Sequence, residues 1–381
     1  MTDTADVVII GAGIMGSALA HDLSVKGRRV LVLDRGGICS GSSGVNAGGV
    51  RQQFTSEVNV RAATRSIQRI STFQEEFGVD VGFQQVGYLF LFSRPETRSV
   101  FEAAIDLQNA CGVASRIIDP AEVAELAPIV RTSDLLGGGF CPSDGHLDPH
   151  ALVTGFATAA RSQGATFRQG CVVTGLDIAR DRVVAVRTSK GDVSPEIVVN
   201  AAGVWANEIA RMAGADLPIE PWLSQVFRIG IDTVPDRLPM TIDFDHGKAY
   251  FHGDGDAILA GSADGRSRDT SWPVSFDEGR APTLIGRLMS RSDSFASARL
   301  LGGWAGLLEL TPDENPIVGW TGADNLYTAA GFSGHGLCLA PGLSLDVARE
   351  LCGTGTDLDL APYRPGRFDA SSPASETLSL R

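Results

Sequence analysis

The stretch VVIIGAGIMG at residues 7–16 decides the fold of this 381-residue chain. Val7 to Ile10 is a short apolar run rich in β-branched residues, which is typical of a buried parallel strand. It is followed at once by Gly11-Ala12-Gly13-Ile14-Met15-Gly16, which has the spacing G-x-G-x-x-G. Glycines at this spacing directly after a strand predict a loop that binds the phosphates of a dinucleotide.

The residues after the glycines complete the unit. Residues 17–26 predict a helix that Gly27 ends, and residues 29–33 predict a second strand that ends at Asp34. A strand, a glycine loop, a helix and a second strand of this length form a βαβ unit. The order of these elements is therefore more informative than the glycines alone.

Each position of the motif has a physical role in this interpretation. Gly11 permits the tight turn, Gly13 lets the backbone approach a pyrophosphate, and Gly16 lets the helix pack against the strand. The helix begins near Ile14 and Met15, so its unpaired N–H groups face the phosphates. Asp34 is expected to accept hydrogen bonds from the adenosine ribose, with Arg35 beside it.

Composition excludes several classes of function. The formal charge of −13 argues against a surface that attracts nucleic acid or anionic membranes. The six cysteines are scattered, without a C-x-x-C pair or a Cys/His cluster at zinc spacing, so no metal site is expected. A small-molecule substrate or a protein partner is the expectation that remains.

The apolar stretch at residues 7–20 could be mistaken for the core of a signal peptide. Asp3 and Asp6 precede it, however, and three glycines interrupt it. No apolar run reaches the roughly 18 residues that a membrane-spanning helix needs. We therefore expect a cytoplasmic protein without a transmembrane segment.

The βαβ unit alone does not distinguish NAD binding from FAD binding, because both cofactors contain adenosine diphosphate. A second loop of small residues provides that distinction. Residues 41–51 read GSSGVNAGGVR, which suits a loop around a second phosphate or the edge of an isoalloxazine ring. The contacts expected from it are Ser42, Ser43, Asn46, Ala47 and Gly48. At this loop the sequence resembles the D-amino-acid oxidase superfamily of flavoproteins, especially its sarcosine oxidase, glycine oxidase and proline dehydrogenase branch.

The resemblance continues nearly to the end of the chain, and it implies FAD as the cofactor. Residues 145–149 resemble the element that leads back into the FAD domain, and residues 311–313 read T-P-D, as in the C-terminal flavin-binding part. Residues 171–188, 198–205 and 331–336 resemble further flavin-binding segments. From these segments the resemblance assigns FAD contacts to Val173, Ala202, Gly203, Trp205, Gly331, Gly334, His335, Gly336 and Leu337.

The fold that the resemblance implies is α/β. A Rossmann-type FAD-binding domain of the glutathione-reductase type would consist of residues 1–85, 145–215 and 320–365. An interleaved α+β substrate-binding domain, built on a mainly antiparallel sheet, would consist of residues 86–144 and 216–319. Residues 366–381 are expected to form a flexible tail.

Residue patterns within these segments predict individual elements. Strands are predicted at residues 87–92, 226–231 and 326–330, and helices at residues 98–111 and 343–351. The loop at residues 331–336 lies between the last strand and the last helix. Its N–H groups are expected at a helix entrance, where the positive dipole end would stabilise reduced flavin.

The resemblance implies that a C–N bond of an amino acid is oxidised, with hydride transfer to flavin N5 and hydrolysis of the resulting imine. A substrate carboxylate calls for a bidentate cation, and Arg51 in V-R-Q-Q-F is the first candidate. The alternatives for Arg51 are a surface position or a contact with a flavin phosphate.

Three weaker groups of candidates come from the same comparison. Alternation along residues 249–252 places Tyr250 and His252 on one face of a strand, where they could hold the substrate amine or shield the site. A half-buried structural pair is the alternative. Trp304 and Glu309 are candidates for the pocket wall, and His335 is assigned to the flavin loop rather than to a base.

Departures from the family pattern are also informative. Gly306 stands where covalent members carry the cysteine that bonds the flavin, which predicts non-covalent FAD. Cys338 stands where monomeric sarcosine oxidases have a carboxylate-binding lysine, so the grip on the substrate must differ. Residues 257–261 lack the lysine that activates oxygen, which favours a dehydrogenase or a slow oxidase.

Several functions stay open on the sequence. The leading substrates are secondary or N-methyl amino acids such as sarcosine, dimethylglycine or proline, and a D-amino-acid or glycine dehydrogenase or oxidase is a close alternative. Flavin hydroxylation is disfavoured because no second G-x-G-x-x-G follows. The chain could also be the flavin-carrying subunit of a larger electron-transferring complex. The electron acceptor could be oxygen, a quinone or a protein partner.

Overall fold

The computed structural model describes residues 3–263, 267–268, 272–369 and 374–378. An eight-stranded sheet has the order β18-β19-β11-β1-β2-β8, with β10 paired to β11 and β9 to β10. Its strands are β1 (Asp3–Ile10), β2 (Val30–Leu33), β8 (Thr166–Arg168), β9 (Val173–Ala179), β10 (Arg182–Thr188), β11 (Val193–Asn200), β18 (Ile317–Trp320) and β19 (Leu326–Ala330).

A nine-stranded sheet has the order β16-β12-β15-β14-β13-β4-β6-β5, with β17 paired to β12. Its strands are β4 (Tyr88–Phe92), β5 (Arg116–Ile118), β6 (Gly137–Cys141), β12 (Glu220–Gly230), β13 (Met240–Asp243), β14 (Ala249–Asp254), β15 (Ala257–Ser262), β16 (Ser267–Arg268) and β17 (Arg299–Leu310). A separate pair joins β3 (Gly49–Val50) to β7 (Gly145–His146).

The described residues also form nine α-helices. They are α1 (Ile14–Val25), α2 (Glu57–Ser71), α3 (Phe73–Phe77), α4 (Pro95–Ala110), α5 (Pro120–Leu126), α6 (Pro149–Ser162), α7 (Ala206–Arg211), α8 (Ala281–Arg291) and α9 (Gly336–Leu351). None of these helices is both long enough and apolar enough to cross a membrane.

The predicted βαβ unit lies at the centre of the eight-stranded sheet. β1 pairs in parallel with β2 on one side and with β11 on the other. Val7, Val8 and Ile9 are fully buried, because the sheet is covered on both faces. A strand that is buried on both faces needs a continuous apolar run rather than alternation. The apolar run at residues 7–10 therefore predicted a buried parallel strand.

Helices cover one face of this sheet and strands cover the other. Side chains of α1, α2, α6 and α9 form the larger core with Val7 and Ile9 of β1. Val8 and Ile10 point to the opposite face and pack with residues of β9 and β10. Both faces of β1 are therefore covered by the rest of the chain.

The nine-stranded sheet is mainly antiparallel, as expected. Its longest ladder joins β12 to β17, from Glu220 opposite Leu310 to Gly230 opposite Arg299. The pair of β13 with β4 is parallel. The predicted α/β architecture with a second, mainly antiparallel sheet is thus confirmed.

Element bounds differ from the sequence prediction at α9. The helix predicted at residues 343–351 begins at Gly336, although Pro341 lies inside it. Gly342 packs so closely on the backbone of Ala62 in α2 that a side chain there would overlap it. Proline and glycine suggested a break in the sequence, but tertiary packing against α2 overrides that local preference.

The expected flexible tail is partly docked. Residues 370–373 and 379–381 lie outside the described residues, but Glu376 and Leu378 are buried, with 4% and 0% of their surface exposed. The Glu376 carboxylate accepts hydrogen bonds from the backbone N–H and hydroxyl of Thr55 and from Asn59 Nδ2. Composition alone did not reveal these hydrogen-bond partners, and residues 374–378 are the docked part of the tail.

Candidate active site

A first cavity of about 440 Å³ lies beyond the carboxyl ends of the parallel strands β1, β2, β11 and β19. Ligands of open α/β sheets bind at this edge. Twelve of the predicted cofactor residues line it: Gly11, Gly13, Ile14, Met15, Asp34, Arg35, Ser42, Ser43, Val173, Ala202, Gly203 and Trp205. The sequence motifs therefore converge on one cavity.

The glycines of the first motif are required by close backbone approach. Gly11 has φ of 110°, and a β-carbon there would overlap the carbonyl oxygen of Ala201. A β-carbon on Gly16 would overlap the carbonyl oxygen of Gly11, so Gly16 sets the helix against the strand without lining the cavity. Gly13 is the N-cap of α1 and has no side-chain cap, which leaves helix N–H groups for an anion.

Charged and aromatic side chains form the far wall of the first cavity. Asp34 accepts hydrogen bonds from the N–H of Ala12 at 2.7 Å and of Gly36 at 2.8 Å, which fixes its carboxylate while leaving further lone pairs. The Arg35 guanidinium lies over the ring of Trp205 at 4.8 Å. These are suitable contacts for ribose hydroxyls and a planar base.

A second cavity of about 160 Å³ adjoins the first one. Ile14, Ser42, Ser43, Glu309 and Phe332 line both cavities. The second cavity also includes the predicted residues Asn46, Ala47, Arg51, Tyr250, Gly334, His335, Gly336 and Leu337. An extended ligand could pass from one cavity into the other.

Two predicted glycines shape the loops without lining any of these cavities. Gly48 has φ of 75°, and a β-carbon there would overlap the carbonyl of Leu147. Gly331 has φ of 76° and lies against the Thr311 side chain. Their roles are therefore conformational.

The loop at residues 331–336 delivers the N-terminus of α9 to the second cavity. Ser333 and Gly334 have φ of 52° and 89°, which turn the chain sharply before the helix. His335 is the N-cap and makes no side-chain capping bond. The unpaired N–H groups and the positive dipole end at Gly336 and Leu337 suit an electron-rich ring atom.

Arg51 lies in the second cavity and is only 3% exposed. Its guanidinium donates to the carbonyl of Gln53 and, at 2.6 Å, to the carbonyl of Leu378. Nη2 also lies 3.3 Å from Nε2 of His335. Within the described parts of the chain, no carboxylate forms an ion pair with this buried cation.

Asp144 holds the segment after β3, which carries Arg51. Its buried carboxyl accepts hydrogen bonds from the backbone N–H and the side-chain amide of Gln52, both at 3.0 Å. The Gln53 side chain contacts it at 3.4 Å. Burial raises the pKa of Asp144 to about 6, and the bonds from Gln52 oppose that rise.

Tyr250 faces the second cavity together with Arg51. Its ring, 6% exposed, lies against Gly261 of β15, where a β-carbon would overlap it. The glycine on the neighbouring strand therefore makes room for this tyrosine. The residue pattern predicted Tyr250 as a site residue, but it did not indicate that Gly261 leaves room for the ring.

His252 lies elsewhere, in a third cavity of about 750 Å³ that it lines with Trp304 and His146. Its Nε2 lies 2.9 Å from the Ala47 carbonyl, and its ring lies 4.2 Å from that of His146. Burial lowers the pKa of His252 and, with the neighbouring imidazole, lowers that of His146 to about 3. The structure thus brings together Arg51 and Tyr250, but not His252.

Two lining residues had no recognisable local signal in the sequence. Tyr88 and Met240 are buried residues that line the second cavity. Tyr88 and Met240 lie opposite each other on the paired strands β4 and β13. Only the sheet register places them beside Arg51, because they are 37 and 189 positions away along the chain.

The arrangement fits FAD. The first cavity offers helix N–H groups for a pyrophosphate, and the second offers a helix N-terminus and apolar walls for a flat ring. Where the cavities join, Oε2 of Glu309 is buried without a hydrogen-bond partner among the described residues, which indicates a polar ligand. A β-carbon on Gly306 would overlap Val45, so this position has no room for a cysteine.

Comparison with known proteins gives a consistent result. Residues 6–350 match the model of the DAO family, described as FAD dependent oxidoreductase. The chain is 30% identical to mitochondrial dimethylglycine dehydrogenase of Rattus norvegicus over 96% of its own length and 45% of that protein. It therefore spans less than half of this relative.

Two other relatives match over most of their own length. The chain is 26% identical to sarcosine oxidase subunit beta of Rhodobacter capsulatus, covering 97% of this chain and 91% of that one. Among solved structures, L-proline dehydrogenase from P. horikoshii superimposes with a TM-score of 0.90 and 33% identity, covering 97% of this chain and 99% of that one.

Proposed function

Because the chain belongs to the DAO family of FAD-dependent oxidoreductases, we propose that it oxidises the C–N bond of a small secondary or N-methyl amino acid. Sarcosine, dimethylglycine and proline are the candidate substrates, and the names of the relatives agree with them. The observation that carries the proposal is Arg51, a buried cation in the second cavity that no described carboxylate neutralises.

A buried guanidinium is costly unless an anion or several acceptors compensate its charge. Backbone carbonyls satisfy two of its N–H donors, but they carry no net charge. A substrate carboxylate would supply that charge through a bidentate contact. A carboxylate that bonds both terminal nitrogens would compete with the Leu378 carbonyl for Nη2.

The remaining walls select the rest of the substrate. Tyr88, Met240 and Tyr250 present mostly apolar surface around the guanidinium, which suits methyl or methylene groups on the amine. In this proposal Tyr250 is the hydrogen-bond partner or water shield for the amine, and His252, which lines the third cavity, is given no contact with the substrate.

Bound FAD would supply the acceptor of the hydride. Arg51 would hold the carboxylate, and the N-terminus of α9 would stabilise negative charge at the edge of the ring. His335, near both Arg51 and the helix, would keep the guanidinium oriented. The lack of space at Gly306 supports non-covalent FAD, so acid or heat denaturation should release all the yellow colour into solution.

Anaerobic reduction of the bound flavin tests the proposal. The purified protein is mixed with sarcosine, dimethylglycine, proline, glycine and D-alanine, and loss of the oxidised flavin absorbance is followed. Rapid bleaching by a secondary or N-methyl amino acid supports the proposal. If only glycine or D-alanine bleached the flavin, the substrate would be a primary amino acid rather than a secondary or N-methyl one. If none of the five bleached it while FAD was bound, an amino-acid substrate would be contradicted.

A second candidate role is that of a flavin-carrying subunit. The near end-to-end match with a protein named as a beta subunit favours it. Under this alternative, reduced flavin would pass electrons to a partner chain rather than to oxygen. Turnover of the isolated chain with an artificial dye but not with air would support a dehydrogenase, and co-purification of a second chain would support the subunit role.

A further inference from the structure

Glu309 lies at the junction of the first and second cavities. It is the one charged residue among the five that line both of them. It sits near the end of β17, opposite Pro221 of β12, so the long β12–β17 ladder fixes its backbone. A ligand that fills both cavities must pass this carboxyl group.

The two carboxyl oxygens of Glu309 have different surroundings. Oε1 accepts a hydrogen bond from the N–H of Phe332 at 3.2 Å. Oε2 is fully buried, and no group in the described parts of the chain donates to it. A β-carbon placed on Gly203 would lie 3.4 Å from Oε2, so this oxygen points toward the lining of the first cavity.

The other polar groups at the junction are already paired. Ser42 Oγ donates to the carbonyl of Leu307 at 2.5 Å, and Ser43 Oγ accepts the N–H of Ile14 at 3.0 Å. A buried acceptor without a donor destabilises a protein, because it has lost its hydrogen bonds to water. Glu309 Oε2 is therefore the group at this junction that most needs a donor from a ligand.

The chemistry of FAD limits what that donor can be. When the adenosine diphosphate part lies at the glycine motif and the ring lies at α9, the chain between them crosses the junction. The pyrophosphate offers only anionic acceptor oxygens, which a carboxylate repels, whereas the ribityl chain offers hydroxyl donors. We propose that Glu309 accepts a hydrogen bond from a ribityl hydroxyl of FAD and so positions the cofactor between its two halves.

Electrostatics and connectivity agree with this role. Burial raises the pKa of Glu309 to about 7, and a hydroxyl donor to Oε2 would favour its ionised form. The same residue holds the loop before α9, because its carbonyl accepts the N–H of Ser333 at 3.1 Å. One side chain thus links the ribityl chain to the loop that leads to the ring.

Binding of ADP and FAD to the apoprotein tests the proposal without any substrate turnover. ADP contains the pyrophosphate but lacks the ribityl chain. Glu309→Met should weaken FAD binding by about 10–100-fold and leave the ADP dissociation constant within about twofold, since each tenfold step is 1.4 kcal/mol. Unchanged ADP binding would also show that the variant is folded.

Glu208→Met is the matched control. Glu208 is exposed and lines the first cavity without reaching the second. Its substitution should change FAD and ADP binding by the same factor. An equal loss of both ligands in Glu309→Met would instead assign Glu309 to the pyrophosphate or to folding, and unchanged FAD binding would remove the contact.

The unsubstituted protein provides a test that does not depend on a variant folding. FAD analogues that each lack one ribityl hydroxyl are compared with FAD. One analogue should bind about tenfold or more weakly, by the loss of one hydrogen bond to a charged group. Equal affinity for all of them would overturn the proposal, whatever the substrate of the enzyme is.

Discussion

The first and second cavities differ in how the chain builds them. One continuous segment, residues 10–43, contributes 13 of the 28 residues that line the first cavity, and the other 15 come from residues 171–332. The second cavity gathers residues from β3, β4, β12, β13, β14 and β17 and from the loop before α9. The difference teaches that the phosphate-binding end of the cofactor site is a local property of this sequence, whereas substrate choice is a property of the assembled fold.

The largest expected effect is on the backbone of the first cavity. Gly11→Ala forces a β-carbon into the Ala201 carbonyl at a positive φ, so we expect loss of bound flavin and about 2–4 kcal/mol of stability. Gly27→Ala is the control, because Gly27 has φ of 78° with nothing near its β-carbon position. It should cost about 1 kcal/mol and keep the flavin.

Flavin absorbance per protein and denaturant unfolding measure both variants. If Gly11→Ala retained its full flavin content, the first cavity would not depend on close backbone approach. The proposed contrast between the two cavities would then be wrong for the first cavity.

The next effect separates the two cavities by charge. Arg51→Met should lower kcat/KM for the amino-acid substrate about 100-fold or more, as expected for a lost buried charge pair, and leave FAD binding nearly unchanged. Arg35→Met should show the opposite pattern. Loss of its contact with Trp205 should weaken FAD about 2–5-fold without altering KM.

Steady-state kinetics at saturating FAD and FAD titration of the apoproteins give the two readouts. Parallel loss of FAD and substrate binding in Arg51→Met would place Arg51 on the cofactor. That result would support the alternative role of Arg51, a contact with a phosphate of the flavin cofactor.

A smaller effect concerns Asp144, the buried acid that accepts hydrogen bonds from Gln52 beside Arg51. The pKa of Asp144 is raised from 3.8 to about 6, so the folded state binds a proton that the unfolded state has released. Its stabilising contribution is full below about pH 4 and is lost as pH rises through 6, by about 3 kcal/mol at most. Asp144→Asn should lack this decline.

The free energy of unfolding, measured between pH 4 and 7, shows the difference between the variant and the original chain. Asp106→Asn, at an exposed position of α4, serves as the control and should follow the original chain. Identical pH profiles for Asp144→Asn and the original chain would mean that Asp144 ionises normally in the fold.

The smallest effect distinguishes Tyr250 from His252. Tyr250→Phe should lower kcat/KM about tenfold by removing one hydroxyl in the second cavity, whereas His252→Gln should change it less than about threefold. Pre-steady-state flavin reduction measures both. A larger loss in His252→Gln would show that the third cavity, or the Ala47 carbonyl that His252 contacts, participates in the reaction.

The sequence predicted much of this arrangement for identifiable reasons. β1, α1 and β2 carry a continuous apolar run and glycines at fixed spacing, so the unit could be recognised without tertiary information. The division of the chain into FAD-binding and substrate-binding segments stays a proposal. The alternation of the two sheets along the chain supports this division. The last FAD-binding segment would then begin with β18 at Ile317, three positions before the predicted residue 320.

The errors have equally specific causes. The start of α9 was missed because Pro341 and Gly342 lower helix propensity, while packing on α2 stabilises the helix. The contacts of residues 374–378 have no local signal, because the Glu376 carboxylate bonds to Thr55 and Leu378 packs with residues at least 128 positions away. Strand alternation predicts a shared face for Tyr250 and His252, but only the structure shows that they line different cavities.

By itself the sequence determined that a dinucleotide site follows β1, since its backbone conformation depends on glycines a few residues apart. Only the tertiary structure decided that Arg51 is buried with no carboxylate of the described residues paired to it, that Tyr88 and Met240 lie beside it, and that no described group donates to Glu309 Oε2. The physical reason is that burial and pairing depend on contacts between distant segments. Those contacts arise from sheet register and helix packing, which no local pattern encodes.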